Sequence, residues 1–123
     1  MTDGGEPIDR PTYDALLKMV GGDHEFVGEL VDTYLADAVD QLAALDAGMA
    51  AGDPAALVRP AHSLKSSSLN VGALQLGELA RTLEEQGREG RIDGAVERVA
   101  AAHRGFEAVR DALLARRAED ATG

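Results

Sequence analysis

The chain has 123 residues, no cysteine, 3% aromatic side chains and a formal charge of −10 from 22 acids against 12 bases. The length suits one domain of ~100–200 residues, large enough to bury a core without covalent staples. The missing cysteines exclude a disulfide framework, a thiolate metal site and a cysteine nucleophile. Few aromatics and the acidic balance argue against base-stacking platforms, phosphate backbones and anionic lipid.

The chain opens Met1-Thr2-Asp3-Gly4-Gly5-Glu6, without the basic start and apolar core of a secretory leader. No run approaches the ~20 apolar residues of a membrane span. A cytoplasmic protein with no nucleic-acid or membrane partner is expected, and residues 1–7 read as a flexible tail. Asp9 is a good N-cap with Pro11 in the first turn. Ile8 is placed to staple onto Tyr13, Leu16, Leu17 and Val20 follow, and Gly21-Gly22 stop a short first helix.

Asp23 caps a long second helix. Val27, Leu30, Val31, Tyr34, Leu35, Ala38, Leu42, Leu45 and Met49 fall on one stripe of it, and Gly52 ends it. Asp53-Pro54 opens a third helix with Leu57, Ala61, Leu64, Ser68 and Val71 inward, closing at Asn70 and Gly72. Leu76, Leu79, Ala80 and Leu83 line the fourth, which closes near Gly87 and Gly90. Asp93 caps a fifth, with Val96, Val99, Ala102, Phe106, Val109 and Leu113 along one side. The chain from Arg116 onward is expected to fray.

No period-two alternation suggests a strand, and the connections are short, which favours antiparallel neighbours. The fold class is therefore all-α: an antiparallel up-down four-helix bundle with an extra short N-terminal helix across one end. It forms a single domain over residues 8–117, followed by a frayed tail over 118–123.

Three histidines are candidates for chemistry. His24 reads as a surface residue, and His103 as a packed or boundary residue. Neither has the i, i+4 partner of an HExxH-type zinc site or a convergent ligand set, so no metal is expected. His62 differs. With Leu57 at 0°, it lies near ~140°, pointing outward from the bundle. Lys65 at i+3 and Ser66 at i+4 are its neighbours along the helix, with Arg59 at i−3 and Val58 and Leu69 on the same side. A neutral imidazole nitrogen is a competent nucleophile, and Lys65 is placed to meet the charge of a phosphoryl group held there. From spacing alone, phosphoryl chemistry and a plain solvated helix face both remain open. General-base catalysis needs a pocket, which a helix exterior rarely provides.

The run Ala61-His62-Ser63-Leu64-Lys65-Ser66-Ser67-Ser68, with Gly72-Ala73 after it, changes the balance. It resembles the signature of histidine-containing phosphotransfer (HPt) domains of bacterial phosphorelays, A-H-x-L-K-G-[SA]-[SA] followed by G-A. Ile8-Asp9 with a Leu pair after it, Gly21-Gly22-Asp23 with Phe26, and Leu83-Glu84 with Gly87 extend the likeness over most of the chain.

The resemblance implies that His62 is the phosphoacceptor and Lys65 the cation that steadies the phosphate. Ser66 stands where the family usually has glycine, and its hydroxyl is expected to fold back on the i−4 carbonyl. With Arg59, Val58 and Leu69 it would form the docking face for a partner. Some members place a glutamine on the next helix to hydrogen-bond the imidazole. Glu84 matches that position, either orienting the ring through a carboxylate or lying as a plain surface glutamate. The implied partners are response-regulator receiver domains and a hybrid sensor kinase, and the chain itself is expected to be a monomer. The resemblance implies no cofactor on this chain, since Mg²⁺ belongs to the receiver. It implies no autokinase activity, for the histidine lacks the H-E-x-x-x-P context and no ATP-binding motif is present. The alternative is a module that docks receivers without accepting phosphate.

Overall fold

Side-chain caps and left-handed glycines set the helix boundaries. Asp9 accepts the Thr12 backbone N–H at 3.1 Å, and Asp23 accepts that of Phe26 at 3.0 Å. Each satisfies a donor that the first helical turn leaves without an intrahelical partner. Gly52 (φ 63°) and Gly72 (φ 91°) end helices in the conformation that glycine adopts without steric cost. The structure is a computed structural model that describes residues 6–122. Its elements are α1 (Arg10–Met19), α2 (His24–Ala51), α3 (Ala55–Val71), α4 (Leu74–Arg88) and α5 (Ala95–Thr122), with no strand among the described residues. The expected flexible tail falls mostly on residues 1–5, outside the described residues.

Helices α2 to α5 form the up-down bundle, each packed on the next and α5 closing against α2. The apolar stripes read from the sequence face inward: Val31, Leu45, Leu57, Leu64, Ala80, Leu83 and Leu113 are fully buried. One stripe is corrected. Val96 is 63% exposed, because the buried row of α5 begins one residue earlier and runs Ala95, Val99, Ala102, Phe106, Val109 and Leu113 at helical spacing. The chain beyond Arg116, expected to fray, is helical as far as Thr122. The Arg116 guanidinium lies 4.5 Å from the Tyr13 ring centroid and bonds Asp14 at 2.7 Å and Asp120 at 3.1 Å.

The first helix lies across one end, resting on α2 and α3. Its N-cap Asp9 donates its backbone N–H to the Gly72 carbonyl at 2.7 Å, and a Cβ at Gly72 would stand 2.9 Å from the Asp9 carbonyl oxygen. The α3–α4 turn therefore needs glycine both for its φ and for this close approach.

The α3–α4 pair is the most extensive packing in the molecule. On α4, Gly77, Ala80, Glu84 and Gly87 stand three or four residues apart and face α3. A Cβ at Gly77 would come within 2.6 Å of Leu69 Cδ2, and one at Gly87 within 2.7 Å of the Pro54 carbonyl oxygen. Small side chains let the two helices approach closely, and Glu84 is the one polar side chain in that row.

Candidate functional site

Helix α3 presents Arg59, His62, Ser66 and Leu69 to solvent as one row along its outer face. Val58 and Lys65, half-buried, turn from that row towards α4. Beneath it, Ser68 is fully buried and its hydroxyl meets the Tyr34 hydroxyl at 2.9 Å, locking α3 to α2. Burial of Tyr34 pushes its pKa up to about 12 against the opposing effect of the Ser68 hydrogen bond, so it is a neutral partner. The expected fold-back of Ser66 is corrected. Ser67 makes that bond instead, to the Ser63 carbonyl at 3.0 Å, while Ser66 faces solvent on the row with His62.

His62 is half-exposed, and its Nδ1 lies 3.0 Å from Glu84 Oε2. Glu84 is not a surface glutamate. It is 6% exposed, set into the small-residue seam of α4. Two cations share its carboxylate: Lys65 Nζ lies 2.9 Å from Oε1, and Arg88 Nη2 donates to Oε2 at 2.8 Å. The Lys65 contact is an ion pair off the hydrogen-bond direction, since Oε1 makes no aligned hydrogen bond. Lys65, then Arg88, and also the His62 contact hold the Glu84 carboxyl at a pKa of about 2, against burial acting the other way.

An ionised carboxylate only accepts. His62 Nδ1 therefore carries a proton, and in the neutral ring this leaves the lone pair on Nε2, the nitrogen that diverges from Glu84. The arrangement yields an oriented, solvent-facing imidazole beside two cations whose charges are shared with one buried acid.

The structure thus gathers His62, Lys65 and Glu84 into one cluster, with Ser66 and Arg59 beside it on the same face. Val58 packs at the edge, where a Cβ on Gly87 would meet its Cγ2 at 2.9 Å. Leu69, two turns along, lines an apolar groove of about 590 Å³ between α1, α2 and α3, with Leu16, Met19, Leu30 and Tyr34. His62 does not line that groove, so general-base catalysis in an enclosed pocket finds no support there.

Arg88 was not singled out from the sequence. Its only signal there is the i, i+4 spacing from Glu84, which ordinarily marks a surface pair. The other histidines lie elsewhere. His24 pairs with Asp120 at 3.3 Å and His103 with Asp46 at 3.0 Å. No group of three or more metal-ligating side chains occurs among the described residues, and no described helix is long and apolar enough to cross a membrane.

Comparison with known proteins bears directly on this cluster. No curated protein sequence matches the chain. Among solved structures it is similar to the crystal structure of histidine-containing phosphotransfer protein B from Pseudomonas aeruginosa PAO1. The two share 29% identity at a TM-score of 0.85, over 94% of this chain and 98% of that one. The Hpt domain family model matches residues 29–119, a span that includes α3, α4 and every residue around His62. With well over half of its length matched and the five-helix fold in common, the chain belongs to the Hpt domain family, whose members are phosphotransfer carriers rather than self-sufficient enzymes.

Proposed function

We propose that this chain is a phosphorelay intermediate whose acceptor atom is His62 Nε2. It takes a phosphoryl group from the aspartyl phosphate of one receiver domain and yields it to another. The observation that carries this reading is the half-exposed imidazole whose Nδ1 is anchored on a buried, ionised carboxylate.

In the forward step the Nε2 lone pair forms the N–P bond as the P–O bond to the receiver's aspartate breaks. That aspartate departs as a carboxylate. Nδ1 keeps its proton, so the ring gains one positive charge beside Glu84, while the phosphoryl group brings roughly two negative charges. Glu84 stabilises the ring charge, and Lys65, one turn along α3, is placed to meet the phosphoryl oxygens. Such transfer depends mostly on alignment and charge neutralisation.

Arg59, Ser66, Leu69 and the edge of Val58 form the docking face around the imidazole. The receiver supplies its own acidic pocket and Mg²⁺. A hybrid sensor kinase is the upstream source of phosphate, the chain has no autokinase activity of its own, and it works as a cytoplasmic monomer.

The test is transfer from a radiolabelled phospho-receiver. We expect acid-labile, base-stable label on the wild-type chain and none on His62→Gln. Label retained by that variant, with its fold intact, would place the acceptor elsewhere.

A further inference from the structure

Glu84 poses an electrostatic problem for the transfer described above. A buried, ionised carboxylate is tolerated only while it is paired, and a phosphoryl group arriving beside it would compete for the same cations. The two cations on Glu84 are not equivalent. Lys65 belongs to α3, the helix of His62, and carries its ammonium on a flexible stem. Arg88 belongs to α4, four residues from Glu84, so its 2.8 Å contact with Oε2 does not depend on α3 or on the imidazole.

We propose that Arg88 is a positioning residue of this site: the counter-charge on Glu84's own helix that holds Glu84 while Lys65 exchanges between Glu84 and the phosphoryl group. This rests on His62 being the acceptor. In the resting site Lys65 and Arg88 face one carboxylate and a neutral ring, a net charge of +1 that favours an arriving phosphoryl group. While the phosphoryl group approaches and the ring is still neutral, Lys65 can turn to it because Arg88 stays on Oε2, and Oε2 remains the acceptor for Nδ1–H. Without Arg88, freeing Lys65 during that approach would leave the buried carboxylate with only a neutral ring beside it and a dianion arriving, so the lysine would stay where it is.

Phosphoramidate, a small phosphoryl donor, separates this role from any contact with a docked protein. The test measures phosphorylation rates with phosphoramidate and with a phospho-receiver, in the full chain, for Arg88→Ala and Arg88→Lys. Each is measured alone and on a Glu84→Gln background, with His62→Gln as the blank. We expect Arg88→Ala to slow both reactions about tenfold, the scale of one charge-assisted contact. Arg88→Lys should recover most of the loss. On the Glu84→Gln background, where there is no charge left to hold, Arg88→Ala should change the rate less than about twofold.

An Arg88→Ala rate equal to wild type would overturn the proposal. So would a loss that persists on the Glu84→Gln background, or one seen with the receiver alone. Failure of the underlying assignment looks different: His62→Gln would label as the wild type does.

Discussion

At the scale of single residues, the site is decided by a carboxylate standing at a position where a neutral amide would also serve the ring. An amide can accept the Nδ1 proton, but in the proposed transfer it would carry no charge to set against a ring phosphorylated on Nε2. A carboxylate supplies that charge and in return needs cations of its own, which is why Lys65 and Arg88 converge on it. The same pairing makes the site sensitive to acid in a defined window. Lys65 and Arg88 lower the Glu84 pKa from 4.5 to about 2. A depressed carboxylate pKa contributes stability that is fully present above the unfolded value and is lost as pH falls towards the folded one. The unfolding midpoint of the wild type relative to Glu84→Gln should therefore be constant above about pH 4.5 and shift against the wild type between there and about pH 2. Denaturant titrations of both proteins across that range measure it, and a difference that does not vary with pH would mean that Glu84 is not held ionised by these partners.

At the scale of elements, the seam between α3 and α4 positions all of this, and it divides what could be read from the sequence from what could not. The caps at Asp9 and Asp23, the glycine stops and the inward stripes of α2 and α3 were legible, because each depends on neighbours within a turn or two of the same helix. So was the outward phase of His62. The burial of Glu84 was not. Read along α4 it is one polar residue among several, Gly77 is silent in a pattern of apolar residues, and Gly87 reads there as a helix end rather than as a point of close approach. Only the approach of a second helix gives the row Gly77, Ala80, Glu84, Gly87 its meaning. The Lys65 contact is hidden for the same reason, since it joins residues on different helices. Val96 misled because β-branched bulk suggested burial where the inward position, one residue earlier, is held by Ala95. The seam makes a differential prediction. At Gly77 an added methyl meets the end of the flexible Leu69 side chain, whereas at Gly87 it meets the Pro54 backbone carbonyl at 2.7 Å. Alanine improves helix propensity by up to ~1 kcal/mol at either position, but overpacking against backbone costs about 1–3 kcal/mol. Gly77→Ala should stay within about 1 kcal/mol of wild type in urea unfolding, and Gly87→Ala should be the less stable of the two by about 1–3 kcal/mol. Equal stabilities would show that α3 and α4 are not in close backbone contact at Gly87.

At the scale of the whole molecule, a chain of formal charge −10 would, in the proposed relay, have to present a favourable face to a receiver whose own pocket is acidic. Arg59, Lys65 and Arg88 gather positive charge around His62, and the apolar groove at Leu69 adjoins them on the side of α1. The shape of that groove depends on where α1 sits, and α1 rests on α2 and α3 without packing its backbone against α5. Long side chains bridge that gap. Arg116 reaches from α5 to the face of the buried Tyr13 ring and to Asp14, and Arg10 reaches back to Glu119 at 3.3 Å. The Arg116 side chain is only 14% exposed, so its contacts are less screened than an ordinary surface pair. Its removal strips a cation from the ring and leaves Asp120, itself 17% exposed, without its partner on α5. Arg116→Ala should therefore loosen α1 and the last turns of α5 by about 2 kcal/mol. The α3–α4 seam shares no contact with Arg116 and should keep its stability. Amide hydrogen exchange resolves the two, with exchange in α1 and in α5 beyond Leu113 about thirtyfold faster and that in α3 and α4 unchanged. If protection fell evenly across α2 to α5 instead, the contact would belong to the global fold, and the position of α1 beside the groove would not be set by this tie.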